Sequence, residues 1–256
     1  MSRDADPILQ PMVNKLRLWQ DLDGDDASAL LALPHVVRTL KAGQLVAWDG
    51  DKPQHCCLLL SGFAFRHKIA GSGARQILSL HLRGDVLDLH NALLRIADHN
   101  VQMLTAGEVA MIPFEAIHEL AAARLRVAAA FWYETLVDGS IFREWIVNVG
   151  RRDARTRIAH LLCELALRQE VAGLGDRLSY EMPMTQEQLS DAVGLTPVHV
   201  NRMLMNLGND GLIHRSLRSI TVMDWDALAK VGDFEPRYLH LDGRGAATAD
   251  LARAAE

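Results

Sequence analysis

A chain of 256 residues with 49% hydrophobic composition is long enough for two modest domains and too apolar for a disordered polymer. Its formal charge of −5 excludes a nonspecific nucleic-acid coat, which would be strongly basic, yet permits a sequence-specific binder whose positive charge is local. Three cysteines (Cys56, Cys57 and Cys163) make no CxxC pair and no even set, so a disulfide framework and a four-thiolate iron–sulfur cluster are both unexpected.

The opening residues, MSRDADPILQPMV, lack the basic-then-apolar pattern of a signal peptide, and no apolar run approaches the ~20 residues that span a bilayer. A cytoplasmic protein without a membrane partner is expected. Residues 14–33 read as helix, within an N-terminal arm over 1–35. From 36 to 113, within a second unit over 36–123, the texture changes to short alternating segments such as VVRTLKAGQLVAWDGD and ARQILSLHLRGDVLDL, broken by Gly43, Gly62, Gly84 and Gly107. That pattern predicts a small β-sandwich or barrel, with a brief helix over 89–96.

Helical periodicity resumes at Pro113. Over 124–152 it carries Ala128, Phe131, Trp132, Thr135, Phe142, Trp145, Ile146 and Val149 on a related face, a near seven-residue repeat that suits a dimer seam. The blander reading packs this stripe on the chain's own β-domain. Arg151-Arg152-Asp153 reads as a hinge before a helix over 154–169, and residues 173–179 as a loop.

The segment MTQEQLSDAVGLTPVHVNRMLMNLGNDGLI, residues 184–213, predicts two short helices around a tight turn. Thr185 caps the first with Gln188 closing a capping box, and Gly194 suits the left-handed residue after it. Thr196 caps the second, and Pro197 fits its first turn. Val200, Met203, Leu204 and Leu207 form one apolar stripe. Val198, Asn201, Arg202 and Met205 point away from it, with His199 at the flank. A helix packed on one face, with amide, imidazole and guanidinium groups near its start, suits the DNA major groove. Strand-like runs at Leu212-Ile213 and 219–222 enclose His214, Arg215 and Arg218, a hairpin whose basic groups would meet phosphates. One more helix is expected over 224–231, closing a DNA-binding unit over 153–235, and then a C-terminal tail over 236–256 whose small-residue-rich end, 243–256, is expected to fray.

This order of parts resembles the Crp/Fnr superfamily of bacterial transcription regulators. The resemblance spans roughly residues 36–222. It rests on LLLSGFAFRHK…ARQILSLHLRGDV, on ARTRIAHLLCELA and on the helix-turn-helix itself. It implies an α+β fold: an N-terminal β-roll of the cyclic-nucleotide-binding, jelly-roll kind, a long dimerisation helix and a C-terminal winged helix-turn-helix. It also implies a homodimer on palindromic promoter DNA, half-sites about 10 base pairs apart, with RNA polymerase as a further partner. By position, Pro197, Val198, Asn201 and Arg202 match residues that contact bases and phosphates in the family. Arg202 matches an arginine used on guanine. Val198 replaces the usual glutamate, so His199 and Asn201 are expected to carry specificity instead.

The sensing cassette departs further. It reads Gly84-Asp85-Val86-Leu87-Asp88-Leu89-His90, and the arginine–serine site of nucleotide-binding members falls near Ala97-Asp98. An aspartate there repels phosphate, so cyclic AMP is not expected. With no N-terminal cysteine cluster, the chain is similar to FixK-like regulators, several of which act without a cofactor. His55, His67, His81, His90, His99 and His118 show no tight ligand spacing, so no metal is expected, although haem stays open. Asp85 and Asp88 read as turn and cap residues, not as a catalytic pair. The rival reading is a cupin-type β-barrel metalloenzyme that uses the histidines; the favoured reading is no enzyme at all.

Overall fold

The run HCCLL has no polar alternation, and a strand of that kind must be covered on both faces. In the computed structural model, which describes residues 7–241, it is β3 (His55–Leu59). Cys57 and Leu59 face the interior of a β-roll, together with Ala64, Val101 and Met103. Cys56 and Leu58 face a helical layer that includes Met12, Leu16 and Phe131.

The roll has two antiparallel sheets. One orders β1 (Val36–Leu40), β7 (Gly107–Pro113) and β3; the other orders β2 (Leu45–Ala47), β6 (Asn100–Met103), β4 (Ala64–Ile69) and β5 (Arg75–His81). Turns at Gly43, Gly62 and Gly84 take positive φ, as the glycine punctuation predicts. The brief helix α3 is shorter than expected, Asn91–Leu94.

The arm is two helices, α1 (Gln10–Trp19) and α2 (Gly24–Leu31), where the sequence predicts one. Asp23 is the reason: its side chain accepts from the amide of Asp26 and starts a new helix instead of continuing the old one. After the roll come α4 (Phe114–Ala123) and the 27-residue α5 (Leu125–Arg151). Asp153 caps α6 (Ala154–Val171), accepting from the amides of Arg155 and Thr156, so the chain turns at the expected hinge.

The C-terminal unit holds α7 (Gln186–Val193), α8 (Pro197–Asn209), α9 (Trp225–Val231) and a three-stranded sheet ordered β8 (Ser179–Glu181), β10 (Ser219–Val222), β9 (Ile213–Ser216). β8 begins at the last residue of the predicted loop, where the sequence predicts no strand. A final 3-10 turn, Pro236–Leu239, packs on α5 at the start of the C-terminal tail. Leu239 is buried there, and Tyr238 Oη donates to Glu164 on α6 at 2.7 Å. The rest of that expected tail, 242–256, lies outside the described residues, as do residues 1–6.

Candidate nucleic-acid interface

Local chemistry builds the helix-turn-helix as its sequence demands. Thr185 Oγ1 accepts from the amide of Gln188 at 3.2 Å, while Gln188 Oε1 accepts from the amide of Thr185 at 2.9 Å. Gly194 ends α7 at φ 66°, and Thr196 Oγ1 accepts from the amide of His199 at 3.3 Å to start α8. Val200, Leu204 and Leu207 then bury α8 in a core shared with Ile158 and Leu162 of α6.

The opposite face of α8 is open. Pro197, Val198, Asn201, Arg202 and Met205 are all exposed, Val198 by 81%, and His199 is half-buried at the edge. Gln186 Nε2 donates to Asn201 Oδ1 at 2.9 Å, which ties α7 to the second turn of α8 and fixes the orientation of that amide. Across the turn from β9 to β10, His214, Arg215 and Arg218 are exposed as well. Leu217 stands at the tip with φ 44°, a strained position for a branched residue that keeps the hairpin tight. Among the described residues, Arg202, Arg215 and Arg218 have no acidic partner, whereas Arg155 pairs with Asp210 at 2.5 Å. The result is one surface with free guanidinium groups beside a protruding helix.

The predicted dimer stripe divides in two. Trp132 and Ile146 are 70% and 68% exposed, Thr135 is exposed, and Ala128, Phe142 and Val149 are half-buried. Phe131 and Trp145 are each only 6% exposed and belong to the interior of their own chain. Phe131 packs in the layer over β3, and Trp145 Nε1 donates to both carboxylate oxygens of Glu164 at 3.0 and 3.1 Å. This corrects the expected seam: each follows a seam residue by three positions and precedes one by a single position, which turns it inward. The exposed set gains Leu125 and Leu136, which the sequence reading missed; Leu125, Trp132, Gly139 and Ile146 repeat every seven residues.

The cassette carboxylates serve the fold. Asp85 pairs with Lys15 of α1, with Arg168 of α6 at 3.1 Å and with His81 at 3.3 Å. Burial alone would raise its pKa, but Lys15, the hydrogen bond from His81 and Arg168 hold the carboxyl well below the usual range. Asp88 accepts from the amide of Cys57 at 2.8 Å, and burial pushes its pKa up to about 7. Asp98 is exposed, two residues before β6.

The sequence matches two known families, the Crp-like helix-turn-helix domain over residues 156–231 and the Cyclic nucleotide-binding domain over residues 37–124. It is 27% identical over 209 residues to the Transcriptional activator protein FnrL of Cereibacter sphaeroides, covering 79% of this chain and 84% of that one. To the Nitrogen fixation regulation protein FixK of Rhizobium meliloti it is 27% identical over 198 residues, covering 76% and 86%. The fold is similar to that of FixK2 from Bradyrhizobium japonicum, with a TM-score of 0.72 at 21% identity over 78% of this chain and 98% of that one. None of these supports the cupin-type enzyme. Among the described residues no helix is long and apolar enough to cross a membrane.

Proposed function

The chain belongs to the Crp/Fnr superfamily of DNA-binding transcription regulators, in its FixK-like branch, and from that premise we propose that it acts as a homodimer on palindromic promoter sites. The exposed and half-buried stripe of α5 (Leu125, Ala128, Trp132, Thr135, Phe142, Ile146 and Val149) is the seam. Each protomer's α8 enters a major groove. Arg202 pairs with guanine, Asn201 and His199 read neighbouring base edges, and Val198 and Pro197 make apolar and backbone contacts. Thr185, Thr196, Arg215 and Arg218 flank the groove and hold phosphates. Signals felt by the roll and α5 reorient the DNA-binding units about residues 151–153, and RNA polymerase is the downstream partner.

Cyclic AMP is not the effector in this reading, because its phosphate would meet Asp98. The single observation that carries the proposal is α8 itself: buried along one face, with unpaired Arg202 on the open one. Selection of bound sequences from random oligonucleotides with the purified full-length chain tests it. Enrichment of an inverted repeat is expected; recovery of unenriched DNA overturns the reading.

A further inference from the structure

His90 follows the cassette, and His99 lies just before β6; they are nine positions apart in sequence, with no ligand-like spacing. The roll nevertheless brings their rings to a centroid separation of 5.2 Å. Nε2 of each is buried without a hydrogen-bond partner among the described residues. A buried imidazole nitrogen left unpaired is costly, and two on neighbouring rings are satisfied together by one shared ligand. The third member is Asp98. One ligand atom from each of His90, Asp98 and His99 lies within 4.8 Å of the others.

We propose that these three residues bind a single divalent transition-metal ion of the zinc and cobalt kind, in the cleft between the β-roll and α5. Imidazole nitrogen with one carboxylate oxygen is a donor set for such borderline ions. Asp98 Oδ1 accepts from His99 Nδ1 at 2.6 Å. That bond places the ring proton on Nδ1 and leaves Nε2 as the ligating nitrogen; the exposed carboxylate releases the bond to swing an oxygen onto the ion. His99 is held in place with only 9% of its side chain exposed, so it is prearranged and not recruited.

Burial, aided by Arg66 and His99, lowers the pKa of His90 to about 4, and burial with Arg66 depresses that of His99. The nearby guanidinium of Arg66 is paired with Asp138 and donates to the carbonyl of Leu87. The cleft, of about 550 Å³, is open enough for water to complete the coordination sphere, and Thr135 and Phe142 form its opposite wall. Three protein ligands with an open fourth position describe an exchangeable site, unlike a closed structural one.

The proposed ligands all come from the roll, so metal uptake is measured independently of DNA binding. Its test uses the tag-free full-length chain, stripped with chelator and titrated with Zn²⁺ by calorimetry and with Co²⁺ by visible absorption. One ion per chain and a visible Co²⁺ ligand-field band are expected. Asp98→Asn, at an exposed position that the fold does not depend on, and His90→Gln should each weaken binding at least ~10-fold. Failure of the parent chain to take up Zn²⁺, or unchanged affinity in Asp98→Asn with its melting curve intact, overturns the proposal.

Discussion

Arg202 projects from α8 with no acidic neighbour, so its guanidinium is available at no cost in broken ion pairs. Arg202→Ala should weaken binding to the selected site by about 1–3 kcal/mol and relax base preference at one position, which fluorescence anisotropy on a panel of duplexes measures. Gly194 is a different kind of residue. A Cβ there would meet nothing closer than Arg157 Nη1 at 3.7 Å, so Gly194→Ala carries only the left-handed backbone penalty, about 1 kcal/mol in a denaturant titration. Asp88 predicts a pH effect. Its carboxyl is raised to about 7 in the folded chain, so the folded state holds a proton that the unfolded state has released. Stability contributed by this group is full below about pH 4 and falls as pH rises toward 7. Asp88→Asn, which still accepts from the amide of Cys57, should flatten that slope in melts between pH 4 and 7. At this scale the sequence was readable where chemistry is local: Thr185, Gln188, Gly194 and Thr196 act within four residues of themselves. Asp88 was not readable, because its partner, Cys57, is 31 positions away.

For α5, the repeat of seven was legible but its phase was not. Phe131 and Trp145 look equivalent to Trp132 and Ile146 in a linear apolar pattern, and only the position of β3 and Glu164 decides which pair turns inward. Trp132→Glu should therefore convert dimer to monomer in sedimentation equilibrium while leaving the melting temperature of the monomer unit nearly unchanged. Phe131→Glu buries an unpaired charge and should unfold the arm and roll together. The β-roll holds a second element-scale lesson in Gly107. A Cβ there would lie 2.1 Å from the carbonyl of Ser61, so two turns touch backbone to backbone. The glycine spacing predicted a turn at that position, not a crossing of two turns. Likewise β8 went unread because a three-residue strand carries almost no periodicity; it exists by pairing with β10, where Ile220 opposes Tyr180.

Across the whole molecule, the DNA-binding unit is docked on its own roll. Arg75 Nε donates to Asp191 Oδ2 at 2.7 Å, Gln76 Nε2 to the carbonyl of Ala192 at 3.3 Å, and Arg168 Nη2 to the carbonyl of Leu80 at 2.8 Å. These contacts join residues about a hundred positions apart, and nothing in either local segment announces the other. They leave α8 facing solvent, so the docked state and an accessible reading face coexist. Arg75→Ala should cost about 1 kcal/mol or less in global stability while raising amide exchange in α7 and around residues 151–154. The central claim is that two copies of α8 enter successive major grooves of one duplex. Native mass spectrometry of the selected duplex, read beside a methylation-protection footprint, tests it most directly. Two chains per duplex, with protected guanines in two patches about 10 base pairs apart, is the predicted result. One chain per duplex with a single protected patch would contradict it.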